Sequence, residues 1–166
     1  MGKSTIVLAA VLSVSSGAAW AQGKSATPQE VVQKVHAAAM DLSKQGAAGL
    51  ATFKQKQSDY VWADTYVFVS DCVQKKNAAH PILANLIGTD LTAIKDPSGK
   101  VIGPLFCEDH GGKGYWVEYQ WPKPGEEKAF RKLTYTEPVP GTPYSVSAGI
   151  YNDTASLAEL AKMSGG

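Results

Sequence analysis

Between Gly114 and Tyr135 the sequence GYWVEYQWPKPGEEKAFRKLTY alternates with a period of two, and this stretch constrains the fold more than any other. Tyr115, Val117, Tyr119 and Trp121 share one face of an extended chain, with Trp116, Glu118 and Gln120 on the other. Pro122, Pro124 and Gly125 break the run, after which Lys132, Thr134 and Thr136 oppose Leu133 and Tyr135. The pattern predicts two antiparallel strands. A buried face carrying tyrosine, tryptophan and lysine needs partners for its hydroxyls, its indole N–H and its ammonium, and a polar ligand is one source of them.

Upstream, Thr27-Pro28-Gln29-Glu30 combines an N-cap threonine, a proline in the first turn and a glutamate placed to close a capping box. Val31, Val35, Ala38 or Ala39, and Leu42 follow at helical spacing, and Gly46 is the stop. A shorter helix is expected over 47–53. Residues 66–70 read as a strand of aromatic and β-branched residues, and Asp71 opens a turn. The chain returns to His80-Pro81, where the proline forces an extended conformation. Short helices are expected after Asp90 and over 101–109, with a turn at Asp96-Pro97-Ser98-Gly99 between them. Residues 144–151 alternate as a last strand, and a final helix containing Leu157, Leu160 and Ala161 is expected to be capped by Asn152 or Asp153. The order gives an α+β domain with a long N-terminal helix, an antiparallel sheet of about five strands and short connecting helices.

The chain has 166 residues, enough for one domain with a real core. Lys3, the apolar run 6–14 and Ala19-Trp20-Ala21 read as a secretory signal over 1–21 that is removed to leave a domain over 22–166. The run is too short for a membrane span, so an exported protein, periplasmic or secreted and not inserted in a membrane, is expected. Without Lys3 the formal charge falls from +1 to zero, and no basic stripe stands out. Nucleic-acid and anionic-membrane binding, which need clustered positive charge, are poor explanations. Cys72 and Cys107 are the two cysteines, and an oxidising compartment favours a bond between them, with two buried free thiols as the other possibility.

Trp62-x-Asp64-x-Tyr66, His80-Pro81, Gly88-x-Asp90-Leu91, Lys95-Asp96-Pro97-x-Gly99-Lys100, Gly114-x-Trp116-Val117-Glu118-Tyr119, Trp121-Pro122-x-Pro124, Lys132-x-Thr134-Tyr135 and Gly149-Ile150-Tyr151 occur in an order that resembles single Cache domains. These are extracytoplasmic sensor modules of bacterial chemoreceptors and sensor kinases. The resemblance spans about 27–152 and implies a PAS-like sheet with a pocket between it and a covering loop. It implies as ligand a small organic acid of the acetate, pyruvate or lactate class, or sometimes an amino acid. Pocket positions carried over by the resemblance are Trp62, Tyr66, His80, Tyr119, Trp121, Lys132 and Tyr135. Two departures stand out. Receptors flank the domain with transmembrane helices, whereas a cleavable signal precedes it here, so signalling is expected to need a partner receptor, sensor kinase or transporter. The turn after Asp71 lacks the family's usual glycine, which puts the local strand register in question.

Each site residue has a plainer reading. Lys132 is either the anchor of a carboxylate or an exposed lysine on an edge strand beside Arg131 and Lys128. His80 either donates to the same carboxylate or bonds the backbone beside Pro81. Tyr119 and Trp121 either enclose a ligand or fill a core, and Asp64 either touches ligand or braces its turn. The histidines His36, His80 and His110 do not stand at metal-ligand spacing with the cysteines, so no zinc and no cofactor are expected. No serine elbow or His-Glu-x-x-His occurs, and the domain reads as a non-enzyme. The alternative function is a protein-interaction scaffold whose sheet is merely core.

Overall fold

The computed structural model describes residues 23–152 and 154–164. The expected signal over 1–21 and the Asp153 side of the expected helix cap lie outside these residues. The first helix, α1 (Pro28–Gln45), starts on the expected capping box: Thr27 Oγ1 accepts the Glu30 N–H at 3.2 Å, and Glu30 Oε2 accepts the Thr27 N–H at 2.9 Å. It buries Val31, Val35, Ala38, Ala39 and Leu42, and Gly46 ends it at φ 57°. A tighter 3-10 helix, Gly46–Lys54, takes the place of the expected short α-helix. A Cβ on Gly49 would stand 3.0 Å from the Leu42 and Gln45 side chains, which would have to shift by a few tenths of an ångström to admit it.

Seven strands follow: β1 (Val61–Trp62), β2 (Thr65–Tyr66), β3 (Phe68–Asp71), β4 (Lys76–Ala79), β5 (Tyr115–Pro122), β6 (Ala129–Pro138) and β7 (Tyr144–Tyr151). β1 and β2 form a small hairpin, and the others make a five-stranded antiparallel sheet in the order β4-β3-β7-β6-β5. The expected strand at 66–70 is therefore split at Val67 between two sheets. The register aligns Tyr119, Lys132 and Tyr151 across three strands, and Val117, Thr134 and Gly149 in the next such row. Because directly opposed residues share a face, the parity read in the sequence holds across β5, β6 and β7.

One face, with Val69, Trp116, Leu133, Tyr135, Val146, Ala148 and Ile150, packs with the buried side of α1. The other face, with Phe68, Val117 and Tyr119, joins Tyr66 and is roofed by Leu91, Ile94, Ile102 and Phe106. These roof residues come from short 3-10 turns, Ala84–Leu86, Leu91–Ala93 and Gly103–Cys107, and the segments beside them. Asp90 caps the second turn through the Thr92 N–H at 2.8 Å, as its position implied. The last helix, α2 (Leu157–Met163), is capped by Ser156 instead of Asn152. Ser156 and Glu159 form a reciprocal capping box there, while Asn152 Oδ1 is taken by the N–H groups of Thr154 and Ala155 upstream.

Two non-glycine residues hold left-handed backbone, Ala63 at φ 45° and Lys75 at φ 54°. Lys75 occupies the turn without its usual glycine, where Asp71 Oδ1 accepts from the N–H groups of Val73 and Gln74. The register between β3 and β4 shifts at Val69/Ser70. Ala63 sits in the two-residue turn between β1 and β2. Ala63→Gly is expected to raise stability by a few tenths to about 1 kcal/mol, relieving the left-handed alanine against a small entropy cost. A urea titration checks it: the midpoint should rise at unchanged slope, and a fall would refute the strain.

Candidate functional site

Lys132 is the centre of the roofed face. Its side chain has no exposure, and Nζ has no hydrogen-bond partner among the described residues. β6 is an interior strand, so the plain reading of an exposed edge lysine fails. Gly149 makes room for the side chain, since a Cβ there would meet Thr134 Oγ1 at 2.4 Å and Lys132 Cε at 3.0 Å. Nζ lies 4.4 Å from the ring centroid of Tyr66, 5.1 Å from that of Tyr151 and 5.9 Å from that of Phe68. Ring faces attract a cation but do not replace the hydrogen bonds it had in water. Desolvation therefore pushes the ammonium down to about 7, partly offset by the charge of Asp64. Arg131, next in sequence, points to the opposite face and forms a bidentate pair with Glu118 at 2.7 and 2.8 Å.

In front of these rings is a cavity lined by Tyr66, Phe68, Tyr119 and Trp121 from the strands, Asn77 and His80 from β4 and its end, and Leu86, Ile94, Ile102 and Phe106 from the roof. About 20 Å³ of it is open to the centre of a water molecule, and the space between atoms, counted out into the open solvent at its mouth, is about 290 Å³. A single water needs roughly 10–15 Å³ by that measure, so the space suits one very small polar molecule. An acid of two or three carbons requires some outward movement of the walls.

His80 is 4 % exposed, and its Nδ1 accepts from the N–H groups of Ile82 at 3.2 Å and Leu83 at 3.0 Å. The remaining nitrogen, Nε2, must then carry the proton and act as donor. Burial and, second, the charge of Lys132 push its pKa to about 3, so the imidazole is neutral. Trp121 Nε1 donates to Tyr66 Oη at 3.2 Å, and Tyr119 Oη lies 3.0 Å from Thr134 Oγ1. Burial raises the pKa of both tyrosines, keeping them neutral. The walls thus combine neutral donors and rings, with one cation behind them.

The structure brings together Tyr66, His80, Tyr119 and Trp121 around the cavity, whereas Lys132 is not a lining residue and its Nζ sits against the Tyr66 and Phe68 rings that line it. It does not bring Trp62 or Tyr135 there. Tyr135 has the parity of Leu133, faces α1 and packs against Trp116 with the rings tilted and their centroids 5.3 Å apart. Trp62 packs against the α1-side core, under Lys34 Nζ at 5.7 Å. Asp64 braces rather than lines: Oδ1 accepts the Ala26 N–H at 2.9 Å ahead of α1, and Oδ2 is 3.5 Å from Lys123 Nζ. Sequence reasoning missed Phe68, Asn77 and the roof residues. Phe68 shares the parity of Tyr66, which was a usable signal, but the 3-10 roof has no periodicity to read.

Cys72 and Cys107 are bonded, closing a loop of sequence separation 35. Within it fall Asn77, His80, Leu86, Ile94, Ile102 and Phe106, the whole covering half of the cavity.

A helix-backed antiparallel sheet with a roofed cavity on its other face defines a PAS-like sensor domain. The family model for single Cache domain 2 matches residues 14–162, and the chain belongs to that family. The methyl-accepting chemotaxis protein McpP of Pseudomonas putida is 30 % identical over 104 residues, which are 60 % of this chain; the match spans 18 % of McpP. A periplasmic sensor domain of a chemotaxis protein superposes with a TM-score of 0.61 at 24 % identity, covering 76 % of this chain and 93 % of that one. A Cache chemosensory domain solved for its recognition of carboxylic acids gives 0.58 at 25 % identity, covering 74 % and 88 %. Cache domains are extracytoplasmic sensor modules. No helix among the described residues is long and apolar enough to cross a membrane.

Proposed function

We propose that this domain binds a small monocarboxylate in the roofed cavity and presents the bound state to a membrane receptor, sensor kinase or transporter from the periplasmic or extracellular side. The observation that carries this reading is Lys132: a wholly buried ammonium without a hydrogen-bond partner among the described residues, packed on the Tyr66 and Phe68 rings that line a cavity whose own polar groups are neutral. A carboxylate supplies the missing partner and the opposite charge, a contact worth roughly 1.5–3 kcal/mol. His80 Nε2–H is a second donor for the same anion, and the phenylalanines and isoleucines suit a short alkyl end. The carboxylic acid recognition described for one structural neighbour is consistent with this ligand class. The two states differ in how the roof closes, and only that difference gives a partner something to read.

The reading has a pH signature. Without ligand the Lys132 amine is half neutral near pH 7, whereas a bound carboxylate needs the ammonium. Binding should therefore take up a proton above that pH, and affinity should fall about tenfold per pH unit there while staying flat below pH 6. Calorimetric titration with acetate and propanoate, in two buffers of different ionisation enthalpy, measures both effects. Affinity independent of pH between 6 and 9 would remove Lys132 from the site, and no binding by any small acid would remove the function.

A further inference from the structure

β5 is an edge strand, and the chain itself covers only one end of its open side: Asp96 Oδ2 accepts the Gln120 N–H at 3.2 Å, and Lys100 Nζ donates to Glu118 O at 2.8 Å. Those contacts fix the alternation of the backbone. Trp116, Glu118 and Gln120 turn their N–H and C=O groups away from β6, and Tyr115, Val117 and Tyr119 turn theirs toward it. The N–H and C=O of Trp116 and the N–H of Glu118 therefore stand along the open edge without a partner among the described residues. The Trp116 side chain adds a further unmet donor, since the residue is 8 % exposed and its indole Nε1–H has no acceptor among the described residues.

This end of β5 faces a groove with about 430 Å³ open to the centre of a water molecule, lined on the strand side by Gly114, Tyr115 and Trp116 and on the helix side by Leu157, Ala158 and Ala161 of α2. Lys113 and His110 also line it, and no carboxylate does. We propose that this edge and groove dock an extended segment of a partner protein, apolar with an acidic residue, as an added strand beside β5. A donor, an acceptor and a second donor spread over roughly 7 Å of strand edge are answered by another extended backbone. Its alternate apolar side chains lie on the α2 wall, and its acidic residue meets Lys113. The surface gives the partner of the proposed function its contact, so its role rests on that reading, while its existence rests on the strand edge alone. Farther along, the same strand carries Tyr119 and Trp121 into the roofed cavity.

The test begins with amide hydrogen exchange on the intact protein. The Trp116 and Glu118 amides should exchange about a hundredfold or more faster than those of Val117 and Tyr119. Short random peptides displayed on phage are then selected against the intact protein, and the best binder is synthesised with and without backbone N-methylation. The unmethylated peptide should slow exchange at Trp116 and shift its indole N–H resonance, and N-methylation should weaken it about tenfold or more. Ala158→Arg, an exposed helix position that crowds the groove, should weaken the peptide similarly and leave acetate affinity unchanged. Slow exchange at Trp116 in the free monomer overturns the inference, as does equal binding of the methylated peptide or a selection that yields no peptide protecting Trp116. Protection of Trp116 that grows with protein concentration in the absence of peptide overturns it in favour of a second copy of this chain. Acetate titrated separately reports on the cavity, so loss of acid binding with peptide binding intact removes the proposed ligand and leaves the docking surface standing.

Discussion

Lys132→Met is expected to make the protein more stable and at the same time to lose about a hundredfold in affinity for a small carboxylate. The binding loss follows from removing a charge-assisted hydrogen bond of roughly 1.5–3 kcal/mol. The stability gain follows from the buried amine. Lys132 has an ordinary value of 10.5 that burial lowers to about 7 in the folded chain. The unfolded chain therefore holds more protons between those values, so the contribution of this group to stability rises with pH across that window. Below pH 7 the full cost of the buried charge is present, on the order of 5 kcal/mol. Methionine fills a similar volume with no charge, so at pH 6 the variant should gain a few kcal/mol, a gain that shrinks toward pH 10. A structural lysine would behave oppositely, and Lys132→Met unfolding more easily than the parent at pH 6 would contradict the account. Denaturant unfolding at pH 6, 8 and 10, with calorimetry at pH 6, measures both halves.

The second large effect concerns the disulfide. Opening Cys72–Cys107, by reduction or by the double replacement with serine, is expected to cost about 4 kcal/mol of stability in the chain-entropy model for a loop of this length. The consequence for binding is separate. The loop it closes carries the roof residues Leu86, Ile94, Ile102 and Phe106, which lie in or beside short 3-10 turns whose hydrogen-bond geometry is poorer than that of an α-helix. Without the bond, binding must also order the roof, so affinity for acetate or propanoate should fall while the wild-type pH profile is kept. Protection of the amides of Leu91, Ile94 and Ile102 from hydrogen exchange should fall more than that of β6 and β7. Equal loss across the sheet and roof would mean that the bond stabilises the domain globally, without a particular hold on the cavity.

Much of this arrangement was legible in the chain because it is written in parity and caps. The alternation from Tyr115 to Thr136 grouped Tyr119 with Val117 and Trp121, and Lys132 with Thr134, and the pairing of Tyr119 with Lys132 joins the two groups on one face. Thr27 and Glu30 fixed the start of α1 for the same local reason. Tyr135 has the parity of Leu133 and faces α1 with it, so its side was readable from the alternation alone. The roof could not be read this way. Its 3-10 turns bury single residues at irregular spacing, and the unpaired Oδ1 of Asn77 is a three-dimensional property of one edge strand and the cavity beside it. The final helix shows local competition: Ser156 and Glu159 capture the cap, and Asn152 is left to shape the turn before it.

The most direct test of the central claim is an NMR titration of the Lys132 side-chain nitrogen, with and without saturating acetate. The account predicts a ligand-free amine that titrates near pH 7 and moves up by more than one unit when acetate binds. A Lys132 that titrates near its ordinary value, or whose titration is the same with and without acid, would contradict it.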